Sequence, residues 1–181
     1  MKSVGFEDIN KLFKKLGAYQ YCLETSVTYT DNDFLNRFTK SLKPSIDNVI
    51  EIGTFNGIST LVLASIAKII HTFDVAYRNA EYLWSFFPEL RSKISYCVGS
   101  QEAIDDTIIR ILRNNIKYFN INFAFIDGKH NGENVAYDFN LVKFCGRVLF
   151  HDADMEEIKS FAKQVGAKIF DGTKFAYWED G

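Results

Sequence analysis

The chain has 181 residues, 47% of them hydrophobic and 24% charged, and a formal net charge of −2. That is the composition of one globular domain with a single sizeable core, and it excludes a nucleic-acid binder relying on bulk positive charge. The longest apolar stretch, Leu61 to Ile70, is broken by Ser65 and Lys68 and is too short to cross a bilayer, so neither nucleic acid nor membrane is expected as a partner.

The N-terminal MKSVGFEDINKLFKK lacks the apolar run of a secretory signal. Cys22, Cys97 and Cys145 are far apart with no C-x-x-C pair, so reduced thiols and a cytoplasmic setting are expected. Residues 1–46 carry Phe6, Ile9, Leu12, Phe13 and Leu16, then Phe34, Leu35, Phe38 and Leu42, at helical spacing. Asp31 or Asn32 is placed to cap the second helix. These helices read either as packing on a sheet edge or as a lid carrying Tyr19, Tyr21 or Tyr29 over a ligand.

From residue 47 to 181 the pattern alternates strand and helix. Strands are expected at Asn48–Ile52, Ile70–Asp74, Ile94–Val98, Asn122–Asp127, Arg147–His151, Ala167–Phe170 and Lys174–Trp178. Helices are expected at Gly57–Lys68, Ala80–Phe86, Gln101–Asn115, Glu133–Phe144 and Met155–Val165. This predicts an α/β, Rossmann-like, mainly parallel sheet with helices on both faces. Asp171-Gly172-Thr173 reads as a hairpin turn that reverses the last strand.

The first strand runs into VIEIGTFNGISTLVLAS, a glycine turn leading to a helix. Gly53 permits a turn that a β-carbon would strain, and Gly57 permits close helix packing. The third glycine of a dinucleotide fingerprint and the Gly-Lys-Ser/Thr of a P-loop are both missing. The spacing Glu51-x-Gly53-x-x-x-Gly57 therefore fits a ligand with no phosphate, bearing an amino group and a ribose. Thr54 belongs to the same turn.

Ligands of open α/β sheets bind beyond the carboxyl ends of the strands, and each of the first five strands ends in polar groups. Glu51 is placed either to attract an ammonium or to bond the amides of the glycine loop. Asp74 is placed to accept from ribose hydroxyls or to cap its own turn. Gly99, Ser100 and Gln101 can flank an adenine, Ser100 also capping the next helix. Asp127 and Asp152 should end neighbouring strands, where two carboxylates ~4 Å apart repel by about 4 kcal/mol at an effective dielectric near 20. A divalent cation such as Mg²⁺ would remove that cost. His151 is a weaker ligand candidate, because strand alternation would turn it away from Asp152. His130, in the loop after Asp127, is a candidate general base. Asp154 and Glu157 read as a capping box for the next helix.

The segments EIGTFNGIST, HTFD, FIDGKHNGENVAYDFNLV, GRVLFHDAD and GTKFAYW together resemble class I S-adenosylmethionine-dependent methyltransferases. The resemblance spans roughly residues 45 to 178 and is closest to the methyltransferase 24 group of metal-dependent small-molecule and sugar O-methyltransferases. It implies a seven-stranded sheet with a reversed last strand. It places Glu51, Gly53 and Gly57 in the methionine loop, Asp74 on the ribose, Ser100 near the adenine, and Asp127 and Asp152 at metal-ligand positions. It also matches His130 to the base of sugar-methylating relatives, with His151 where relatives carry a carboxylate or a histidine. Gly132 and Lys129 depart from the family pattern in the substrate-facing loop, so the acceptor is not transferable. The implied reaction is methyl transfer to a hydroxyl of a small molecule or sugar, by a chain that can be homo-oligomeric. Competing readings are a nicotinamide-dependent oxidoreductase, a non-catalytic ligand-binding module that keeps the cradle, and transfer to an amine.

Overall fold

The computed structural model describes residues 4–16, 29–114 and 120–181. Two helices, α1 (Phe6–Leu16) and α2 (Tyr29–Ser41), precede the sheet. Then follow β1 (Asn48–Ile52), α3 (Ile58–Ala64), β2 (Ile69–Asp74), α4 (Ala80–Trp84), α5 (Pro88–Arg91) and β3 (Ile94–Val98). The second half runs α6 (Gln101–Asn114), β4 (Ile121–Ile126), α7 (Gly132–Val142), β5 (Arg147–Phe150), α8 (Glu156–Gln164), β6 (Lys168–Ile169) and β7 (Ala176–Glu179).

The strands form one sheet in the order β3-β2-β1-β4-β5-β7-β6. β3 through β5 are mutually parallel, and β7 runs antiparallel to both β5 and β6. The chain builds outward from β1 to β3, then returns to lay β4 on the other side of β1. That reversal opens a crevice at the carboxyl ends of β1 and β4.

Strand alternation sorts the core into two layers. Val49, Phe123, Phe125 and Leu149 face one layer, with Leu35 from α2, Leu61 from α3 and Trp84 from α4. Ile50, Ile52, Ala124, Ile126 and Phe150 face the other, with Ile104 from α6, Phe139 from α7 and Ile158 from α8. β1 is buried along its whole length, as a central parallel strand must be. Arg147 ties the N-terminal segment to the sheet: its Nε–H donates to Asn122 O at 2.8 Å and its Nη1–H to Pro44 O at 2.6 Å.

Several expectations are corrected. β5 ends at Phe150, before His151. Pro88–Arg91 is a short helix that the alternation did not announce, with proline at its first position, where its missing N–H costs nothing. Asp31 lies in the first turn of α2 and is not its cap. Asp154 and Glu157 do not form a capping box; Glu157 Oε2 instead accepts from Gly132 N at 3.0 Å, at the start of α7. Cys97 and Cys145 are free thiols, while Cys22, Tyr19 and Tyr21 lie outside the described residues. Among the described residues, no helix is long and apolar enough to cross a membrane.

Candidate functional site

The glycine turn between β1 and α3 is set by two close approaches. Gly53 has φ +98, and a β-carbon there would lie 2.0 Å from Asp127 O. Gly57 has φ +78, and a β-carbon would lie 2.4 Å from Trp84 Nε1, the atom that donates to Gly57 O at 2.9 Å. The two glycines thus let the turn close onto the end of β4 on one side and onto α4 on the other.

Glu51 does not bond the amides of the glycine loop. It is 0% exposed, and alternation turns it with Val49 toward α3. Its carboxyl accepts from Ser59 Oγ at 2.7 Å, Thr60 Oγ1 at 2.6 Å and Thr72 Oγ1 at 2.6 Å, the last being its partner across β1 and β2. Thr54 Oγ1 joins the same cluster, 2.6 Å from Thr72 Oγ1. Burial pushes the Glu51 pKa up to about 7, against the pull of the three hydroxyls.

A cavity of about 770 Å³ opens at the switch point. Gly53 and Phe55 from the turn, Asp74 at the end of β2, Gln101 on α6, and Asp127 and His130 after β4 all border it. Asp74 Oδ2 accepts from Phe55 N at 2.7 Å and Oδ1 from Ala76 N at 2.9 Å, so it holds its own turn while bordering the cavity. Ser100 Oγ caps α6 by accepting from Ala103 N at 3.3 Å. Glu51, Thr54, Gly57, Gly99 and Ser100 do not border the cavity.

Asp127, which borders the cavity, forms a cluster with His151 and Asp152, which do not; the ligand atoms of the three all lie within 4.8 Å of one another. His151 Nδ1 is 2.9 Å from Asp127 Oδ1 and 3.2 Å from Asp152 Oδ1. The expectation that His151 faces away is overturned. The register pairs Phe125 with Leu149, so Asp127 and His151, each two residues on, fall on the same side. Asp152 is the residue that breaks alternation: its φ of +53 bends the chain and returns its side chain to that side. His130 closes the group, with Nδ1 2.5 Å from Asp152 Oδ2. On the far side, Asp31 Oδ2 of α2 lies 3.7 Å from His151 Nε2 and 3.8 Å from Lys174 Nζ. Sequence patterning gave Asp31 only a capping role.

The charges are strongly coupled. Burial pushes His151 down, but the Asp127 and Asp152 carboxylates outweigh it and lift the imidazole to about 12. Burial raises Asp127. Burial also acts to raise Asp152, but the His130 and His151 imidazoles beside it hold it well below the usual carboxylate range. The Asp152 bond is the main cause that raises His130.

The cluster fits a divalent cation. Ligands about 2.1 Å from an octahedral ion lie about 3.0 Å apart along each edge, close to the two Nδ1···Oδ1 spacings of 2.9 and 3.2 Å. Neither spacing is aligned as a hydrogen bond, so a buried imidazole nitrogen points between two carboxylates without a directed partner. One imidazole with two carboxylates suits Mn²⁺ as well as Mg²⁺.

An O-methyltransferase from Bacillus cereus in complex with SAH superposes with a TM-score of 0.64 at 16% identity, covering 93% of this chain and 88% of that one. CalS11, a TDP-rhamnose 3′-O-methyltransferase of calicheamicin biosynthesis, superposes at 0.59 with 15% identity, covering 100% of this chain and 97% of its own. The fold is that of the class I methyltransferases. An rRNA methylase from Streptococcus thermophilus shares it at a TM-score of 0.54 and 15% identity, covering 84% of this chain and 94% of its own. A nucleotide sugar and an rRNA on one methyltransferase fold show that the architecture does not name the acceptor. No family model and no curated protein matches the sequence.

Proposed function

We propose that the protein transfers a methyl group from S-adenosylmethionine to a hydroxyl of a small molecule or sugar, assisted by a divalent cation. The observation that carries this is the Asp127–His151–Asp152 cluster at the edge of the donor-sized cavity, in this fold. The donor arrives with its methyl already activated by the sulfonium, so the remaining tasks are alignment and removal of the acceptor proton. A cation held by Asp127, His151 and Asp152 would supply Lewis acidity that lowers the pKa of an acceptor hydroxyl.

The chain's own groups divide the rest of the work. Asp74 and the turn at Gly53 border the pocket where a ribose and an amino acid group would lie. Asp152 serves two neighbours, Oδ1 toward His151 and Oδ2 toward His130. By accepting the Nδ1–H of His130, it fixes the tautomer whose Nε2 lone pair is open to an acceptor proton.

The test is incubation with labelled donor and a panel of vicinal diols, with Mg²⁺ or Mn²⁺ and with or without chelator. Transfer should be lost with chelator and in Asp127→Asn. His130→Ala should lower the rate by about 10²- to 10⁴-fold, the usual weight of a general base. Transfer untouched by both chelator and His130→Ala rejects the metal and the base together.

A further inference from the structure

The cavity at the switch point contains a carboxyl group that the reaction does not use. Asp138 lies on α7 at 5% exposure, on the helix face that also buries Val135, Phe139 and Val142. It borders the cavity beside Ile52, Phe73 and Ile104, three members of the apolar layer under α6 and α7. The carboxyl reaches under the loop after β4: a β-carbon on Gly128 would lie 3.4 Å from Asp138 Oδ2. Among the described residues its side chain makes no hydrogen bond and no ion pair. Tyr137, beside it, bonds Asp105 at 2.5 Å and joins α7 to α6 at this end of the cavity.

Buried polar groups are almost always bonded, so an unpartnered carboxyl in a cavity marks a place where a ligand supplies the partner. The surroundings restrict that ligand. Ile52, Phe73 and Ile104 offer apolar surface to a flat ring, and the single polar group meets the ring at its edge. Asp127 and His130, which also border the cavity, are taken by the chemistry.

We propose that Asp138 reads the purine edge of the methyl donor, accepting a hydrogen bond from the exocyclic amine of adenine. This rests on the donor reading given above. The two oxygens of a carboxyl match the adjacent N6–H donor and N1 acceptor of adenine, provided one oxygen keeps its proton. Burial, reinforced by the nearby charge of Asp105, pushes the Asp138 pKa up to about 7, which favours that protonated form near neutral pH. Asparagine carries the same donor and acceptor pair, and alanine carries neither.

Isothermal titration tests this with S-adenosylhomocysteine and with its analogue bearing hydrogen in place of the 6-amino group, on wild type, Asp138→Asn and Asp138→Ala. Wild type and Asp138→Asn should favour the adenine form by about 10- to 100-fold, because a buried polar group rejects a ligand that leaves it unpaired. Asp138→Ala should bind the two forms within about 3-fold of each other. A structural role would lower the melting temperature of ligand-free Asp138→Ala. An unpartnered buried carboxyl predicts a temperature unchanged or raised. Wild type that binds the adenine form, with full preference retained in Asp138→Ala, overturns the assignment and leaves the donor reading standing. Wild type that binds neither form overturns both.

Discussion

At the scale of single residues, the acidic side chains of this chain differ in what surrounds them more than in what they are. Asp127 and Asp152 share a site, yet burial raises one while two imidazoles lower the other. Glu51 belongs to the interior, with all its bonds going to hydroxyls on α3 and β2. Its folded pKa of about 7 lies above the ordinary glutamate value of 4.5. A carboxyl raised on folding contributes stability that is fully present below the unfolded pKa and is lost as pH rises through the folded one. Between pH 5 and pH 8 this group should therefore cost wild type roughly 3 kcal/mol, at 1.36 kcal/mol per pKa unit. Glu51→Gln keeps an acceptor for the hydroxyls and removes the titration. Urea unfolding at both pH values should show the variant gaining on wild type as pH rises. Parallel pH profiles would refute it. The positions of Asp74, Ser100, Asp127 and Asp152 were legible in the sequence because each lies at or within two residues of the end of a strand that the apolar pattern locates. The hydroxyl partners of Glu51 were not legible, because its position two residues before a glycine says nothing about the face it takes, which depends on strand parity. Asp138 had a signal of its own: it sits within the apolar spacing of Val135, Phe139 and Val142.

Among elements, the strands were the most legible part, because runs such as Asn48–Ile52 and Ile94–Val98 are short, β-branched and bounded by turn residues. The hairpin around Gly172 was equally visible, and it carries the reversed β7. What sequence could not show was where the chain departs from regular geometry. The bend at Asp152, at φ +53, brings His151 and Asp152 to one side; aspartate tolerates positive φ, but that tolerance does not single out this position among the aspartates of the chain. Close packing between turns is similarly hidden. Gly53 is held against Asp127 O, so the β1–α3 and β4–α7 turns form one unit. Gly53→Ala should combine a positive-φ strain with a backbone clash, destabilising by about 2 kcal/mol or more and lowering the melting temperature by about 4 °C or more. Gly146→Ala is the control: its φ is +78, but nothing lies within 4 Å of its added β-carbon. It should show the φ strain alone. Equal shifts in the two variants would mean that the approach to Asp127 carries no cost.

For the molecule as a whole, the open question in the sequence was whether the first 46 residues are packing or part of the site. The described helices α1 and α2 are packed: Phe6, Ile9 and Leu35 are buried in the same layer as Val49 and Phe125. Through Asp31 they also reach the cluster, since that carboxylate stands between His151 Nε2 at 3.7 Å and Lys174 Nζ at 3.8 Å. A ligating imidazole is oriented by what its other nitrogen faces, and such outer partners typically carry 10- to 100-fold in metal affinity. Asp31→Asn should therefore weaken Mn²⁺ binding by about 10-fold or more. Titration with S-adenosylhomocysteine should give the wild-type affinity, because Asp31 does not border the donor cavity. The two titrations separate the possibilities. Loss of both affinities would mean that the substitution disturbs the sheet end as a whole. Loss of neither would mean that α2 only packs, and that the metal cluster is complete with the residues after β4 and β5. Loss of the cation alone is the result expected if a helix from the start of the chain and a hairpin from its end together hold one imidazole in place.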